Sequence, residues 1–188
     1  VWPHTVAARS NRLLLVGVSY RDGNQPLRSV TYAGIPLTLL GVQNAPGNQN
    51  RVELWSLRAP AVGTANVVVN LTNARSVVGG ALSFTGVEQS TPFGAFRSAS
   101  DKSKTACVTL SSAGTELVAS FLSANGDAKS IAVGPGQTTA WNTGTGTAGG
   151  DIRGTGTTIP GTSAAVTCQT LEKDKPWAMI AVPLKPAL

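Results

Sequence analysis

Strand-length apolar runs parted by turn residues, with no sustained amphipathic helix between them, are what most constrain the fold of this chain. The clearest run is Arg12-Leu13-Leu14-Leu15-Val16-Gly17-Val18-Ser19-Tyr20, nearly continuous in the way of a strand covered on both faces. Asp22-Gly23-Asn24 turns the chain after it. Ser29-Val30-Thr31-Tyr32 and Ile35-Pro36-Leu37-Thr38-Leu39-Leu40 flank Ala33-Gly34, which reads as a tight hairpin. Pro36 cannot donate to a ladder, so its segment belongs at the start or edge of a sheet. After a polar loop at 43–50, residues 51–57 and 65–71 read as strands, with Val67, Val69 and Leu71 on one face and Asn66 and Asn70 on the other. In the long strand at 76–87, Gly79-Gly80 marks a bulge or a close approach of backbone. The pattern repeats at 105–110, 116–123, 129–133, 138–141, 163–171 and 177–185, and Asn125-Gly126 is the strongest local hairpin signal.

About ten or eleven strands with short links predict an all-β fold, a two-sheet antiparallel β-sandwich of jelly-roll-like form, in one domain spanning residues 1–188. A Gly/Thr-rich stretch at 142–162 is expected to be a long loop, functional or mobile. Composition agrees: only 13% of residues are charged, and 21 are glycine, which favours turns and loops over helices.

The net charge of +6 raises the question of nucleic acid, but the basic residues are scattered, with only Lys102/Lys104 and Lys173/Lys175 close together. No recognition motif accompanies them, so no nucleic-acid partner is expected. No apolar stretch approaches the roughly 20 residues of a membrane helix, and no membrane insertion is expected. The chain starts at Val1 rather than Met, which suggests cleavage from a precursor or a longer protein. Cys107 and Cys168, both in strand-like segments, fit no metal spacing. A disulfide between neighbouring strands in an oxidising compartment is the preferred reading, two buried thiols the other.

Signs of catalysis are sparse. The sole histidine, His4, lies near the first residue and reads as a strand-start side chain. The nine acids do not cluster, and no nucleophile elbow or phosphate loop is present. No catalytic residue, cofactor or metal is therefore assigned, and the chain is expected not to be an enzyme. Asp22-Gly23-Asn24 and Asn125-Gly126-Asp127 each offer two or three oxygens of the six to eight that calcium takes, so both read first as turns.

Aromatic faces can stack on sugars. Trp55 and Trp177 lie in apolar strands and read as core, whereas Trp141 borders the Gly/Thr-rich stretch. Trp141 with Asn142, Asp151 and Arg153 is the candidate ligand site; the competing reading makes Trp141 a hydrophobic anchor. Val1, Trp2, Pro3, His4, Thr5 and Val6 are expected to form a strand or arm against a neighbouring subunit, since edge strands pair readily with another chain.

A set of motifs carries a resemblance. It comprises His4-Thr5-Val6, Asn11-Arg12-Leu13-Leu14-Leu15-Val16-Gly17-Val18-Ser19, Val30-Thr31-Tyr32-Ala33-Gly34-Ile35-Pro36-Leu37-Thr38 and Val52-Glu53-Leu54-Trp55. Gly79-Gly80-Ala81-Leu82-Ser83-Phe84-Thr85-Gly86-Val87 and Trp177-Ala178-Met179-Ile180-Ala181-Val182-Pro183-Leu184-Lys185 complete it, leaving 94–162 unmatched. Together they resemble a β-sandwich module that recurs in large secreted and cell-surface bacterial proteins and in some phage-like structural proteins. The resemblance implies an extracellular structural or adhesive setting and no catalytic residues. The leading expectation is thus a secreted, surface-displayed subunit whose partners are copies of itself or other surface proteins, and which can polymerise into a filament. The alternatives are a carbohydrate-binding module with a polysaccharide partner, and a phage or virion structural protein.

Overall fold

The computed structural model describes residues 1–187, and in them the chain is all-β. The strands are β1 (Trp2–Val6), β2 (Leu13–Arg21), β3 (Ser29–Tyr32), β4 (Ile35–Pro36), β5 (Thr38–Asn44), β6 (Asn50–Arg58) and β7 (Gly63–Asn70). They continue with β8 (Val77–Phe84), β9 (Arg97–Leu110), β10 (Leu117–Asn125), β11 (Ile131–Val133), β12 (Thr138–Gly144), β13 (Ile152–Pro160) and β14 (Ala165–Leu184). Fourteen strands in three antiparallel sheets replace the expected ten or eleven in two.

The outer sheet runs β1-β7-β3-β4 and the middle sheet β5-β6-β2-β8. The third is built on β14, flanked by β9 on one side and by β11 and β10 on the other, and continues through β13 to β12. The unbroken apolar run of β2 follows from its place inside the middle layer. Leu14, Val16, Val18 and Tyr20 pack with Val30, Tyr32 and Val67 of the outer sheet. Leu13 and Leu15 point the other way, into a core shared with Phe121, Ile180 and Val182 of the third sheet.

The third sheet folds over itself. β14 is one 20-residue strand whose register slips between Thr170 and Lys175, where Glu172, Lys173 and Asp174 are exposed. Its first half lies across the face of β10 and β13, so Ser120 meets Thr167 although its ladder partner is Ala181. Val118 and Leu122 of β10, Val108 of β9, and Leu171 and Met179 of β14 fill the space between. Cys107 and Cys168 stand opposite each other in the β9–β14 ladder and form a disulfide.

The turn at Ala33-Gly34 has φ of 50° and 79°, the two-residue hairpin geometry in which glycine carries least strain, and β4 with Pro36 is the sheet edge. Gly79-Gly80 keeps a regular ladder, so it marks close approach and not a bulge.

Two expectations are corrected. The 142–162 stretch is mostly strand: β12 and β13 occupy it, leaving 145–151 as the connection. Its threonines are strand formers and two of its glycines seat an aromatic ring. Asn125-Gly126 makes no hairpin either, since β10 pairs with β13 and β14, and β11 pairs with β14. Asn125 is instead a buried side chain linking Asn50 and Gln49, and the chain leaves it through a single short turn at Gly126–Ala128.

Candidate functional site

The four residues singled out around Trp141 do not converge. Trp141 packs into the core between the middle and third sheets, its indole lying on Gly80 of β8 and on Gly154 and Gly156 of β13. A Cβ at Gly80 or Gly156 would overlap the ring. The anchor reading therefore describes Trp141, and its Nε1 is buried with no partner among the described residues. Asn142, the next residue along the strand, projects from the opposite face and donates to Ile131 O at 2.9 Å. Asp151 closes its own connection, accepting from Thr145 Oγ1 at 2.8 Å and Ala148 N at 2.9 Å. The Ala148 amide, then the Thr145 hydroxyl, lowers the Asp151 pKa. Arg153 pairs with Gly144 in the ladder, and its carbonyl accepts from Ser19 of β2.

Of the N-terminal residues, Trp2 to Val6 form β1, paired with β7 of their own outer sheet from Trp2↔Val67 to Val6↔Gly63. They are a strand at a sheet edge, not a free arm. Trp2 packs against the core beneath the outer sheet, its ring close to Gly79, and Val1 is exposed. His4 meets Tyr32 edge-on, and burial lowers its pKa.

One polar centre escaped the sequence reading. Glu53 on β6 is fully buried, and four donors surround its carboxylate. Tyr20 OH donates at 2.6 Å, Arg51 Nε at 2.8 Å, Trp55 Nε1 at 3.0 Å and Leu27 N at 3.4 Å. A carboxylate out of water is tolerable only when so supplied. Burial first, and then the Glu53 carboxylate, pushes the Tyr20 phenol pKa up. Arg75 lies over the Tyr20 ring and donates to the carbonyls of Asp22 and Gln25. The centre fixes the β2–β3 connection, and its carboxylate is fully shielded from solvent. Only the spacing of Arg51, Glu53 and Trp55, alternate residues on one strand face, hinted at it.

Asp22 and Asp127 hold no ligand cluster. Asp127 pairs with Lys175, and nowhere among the described residues do three His, Cys, Asp or Glu side chains converge. No helix there is long and apolar enough to cross a membrane.

An open cleft of about 550 Å³ lies between β5–β6 and the segment 90–93. Leu40, Leu57 and Phe93 give it apolar surface, and Thr38, Ser56, Thr91 and Arg58 ring it with polar groups. Glu88 shapes one wall. The backbone amides of Ser90 and Thr91, then the Ser90 hydroxyl, bind its carboxylate and lower its pKa to about 2. Arg58 Nη1 donates to Gln89 O at 3.0 Å and so joins the two walls. Compared with protein-family models, curated proteins and solved structures, the chain matches none of them.

Proposed function

We propose that this chain is a non-enzymatic structural or adhesive subunit that works outside the cell. The observation that carries this is the Cys107–Cys168 cross-link within three stacked antiparallel sheets, a covalent staple suited to an oxidising setting. The polar interior supports the same reading, because Glu53 is occupied by Tyr20 and its other donors, and the hydroxyls of Ser120, Thr157 and Thr167 by one another. The order of the first two sheets, β1-β7-β3 against β2-β6-β5, supports a jelly-roll wrap lacking one hairpin. The resemblance to the bacterial surface module points to the same setting. Electron microscopy of the native protein, with light scattering for mass, tests the proposal. A discrete dimer, regular filaments or rings are the expected result, and a uniform monomer with no partner at the cell surface would overturn it.

A carbohydrate-binding role is the second reading, and the cleft favours it with a part-buried Phe93 ring beside Arg58 and several hydroxyls. It predicts that Phe93→Ala loses retention on a polysaccharide column while Trp141→Phe keeps it.

A further inference from the structure

The three sheets stack so that their edges, apart from the three-residue β11, fall on two flanks. β8 lies against β1 of the outer sheet and against β12 and β13 of the third, so β1, β8 and β12 share one flank. The other carries β4, β5 and β9.

Most of these edges carry a device that discourages pairing with another chain. β1 has Pro3 and β4 has Pro36. β5 slips register between Leu39 and Gly41 beneath the Phe96 ring, and β9 bears Asp101, Lys102 and Lys104. β8 and β12 differ. β8 reads Val77-Val78-Gly79-Gly80-Ala81-Leu82-Ser83-Phe84 and β12 reads Thr138-Thr139-Ala140-Trp141-Asn142-Thr143-Gly144, with neither a charge nor a proline in either. The β12 ladder slips once at Ala140, yet Thr138, Thr139, Asn142 and Thr143 remain exposed. Trp141 lies on Gly80, and Ser76 Oγ donates to Gly150 O at 2.9 Å, so the two edges form one unit.

We propose that this flank joins a second copy of the chain, β8 to β8 and β12 to β12, about a two-fold axis normal to the sheets. This rests on the structural-subunit reading and names the surface through which it acts. An open edge offers amides and carbonyls at strand spacing, which another strand edge satisfies. Here a partner must present two such edges in stacked sheets about 10 Å apart. The same flank of another copy does so, and a single two-fold serves both pairs because a self-complementary contact is isologous. The charge distribution favours this occupant too: a chain of net charge +6 repels itself least where its strands carry no charge.

Sedimentation velocity and electron microscopy on wild type and on Thr139→Lys/Thr143→Lys test the proposal, with thermal melts to establish that the variant folds. Wild type should be dimeric or larger in the micromolar range, with amide exchange in β8 and β12 slowing as concentration rises. The variant should dissociate at least roughly tenfold more readily at unchanged melting temperature. Should the variant misfold, Ser83→Lys on β8 gives the same readout. Assembly that persists in folded variants would overturn the flank while leaving the structural-subunit reading intact. A wild-type monomer at every concentration would overturn both.

Discussion

The third sheet buries an apolar cluster on each of its two faces but fastens them by different further means. Against the middle sheet it uses rings laid on bare backbone: Phe121 over Gly17 and Trp141 over Gly80. Against its own folded-over half it sets polar groups beside an apolar filling of Val118, Leu122, Leu171 and Met179. Ser120 Oγ lies 2.6 Å from Thr157 Oγ1 and 2.8 Å from Thr167 Oγ1, and Thr167 also donates to Gln137 at 2.6 Å. Thr155 donates to Gln169 at 2.6 Å. The first interface owes its strength to area removed from water and close fit, so it tolerates no added atom. The second gains little net free energy from each bond but loses much when a buried partner is missing. That asymmetry explains why the disulfide lies on the polar side: Cys107 and Cys168 sit in the part of the sheet that folds over.

If the comparison is right, cutting the staple has the largest effect. Its cysteines are 61 residues apart, so the chain-entropy model puts its loss at about 4 kcal/mol. Denaturant melts of Cys107→Ala/Cys168→Ala should show that loss. A cost below about 1 kcal/mol would mean that the polar seam holds the folded-over half unaided. Next comes Gly17→Ala, whose Cβ would overlap the Phe121 ring. Overpacking of this kind costs about 3 kcal/mol. In a double-mutant cycle, Phe121→Leu should recover part of it, and strict additivity would show that the ring does not rest on Gly17.

The first half of the chain was the more legible in sequence. Its strands announce themselves by unbroken apolar runs or strict alternation, and Ala33-Gly34 has only one comfortable turn to make. The buried faces of Trp55 and Trp177 follow from their apolar neighbours. In the third sheet β13 was hidden, because the side chains it buries are largely threonines and glycines. Thr155 and Thr157 are fully buried, yet their residue types read as loop, and Thr167 and Gln169, in a segment read as a strand, gave no sign of their burial. Gly154 and Gly156 look like flexibility until Trp141 is seen to occupy the space their missing side chains leave. Trp141 left two readings open for the same reason, since a tryptophan beside a stretch taken for a loop serves either as an exposed platform or as an anchor. The Glu53 centre could not be foreseen, because three of its donors come from β6 and β2 and the fourth from the Leu27 amide.

The polar seam predicts a smaller and distinctive effect. Thr155→Val removes the hydroxyl from Gln169 Oε1 in a fully buried pair, while Gln169 Nε2 already has no partner among the described residues. The single variant should lose about 2 kcal/mol, and Thr155→Val/Gln169→Leu should regain most of it, because removing both partners leaves no orphan. If the double variant is worse than the single, the interface is held by shape, as its opposite face is, and the contrast between them fails.

The outer sheet offers the smallest test, on which side of the contrast it falls. Its contact with the middle sheet is largely apolar, and His4 is its titrating group near neutral pH: burial lowers the imidazole pKa from 6.5, and Nε2 has no partner among the described residues. Below pH 6.5 the unfolded chain takes up the proton before the folded one does. Stability contributed by the neutral ring is therefore fully present above that pH and is lost as pH falls toward the lower folded value. His4 being the sole histidine, a shallow fall in melting temperature between pH 7.5 and 5.5 should vanish in His4→Phe. A rise in stability over the same interval would mean that the ring gains an acceptor when charged, and that the outer sheet, like the folded-over seam, is fastened by polar contacts.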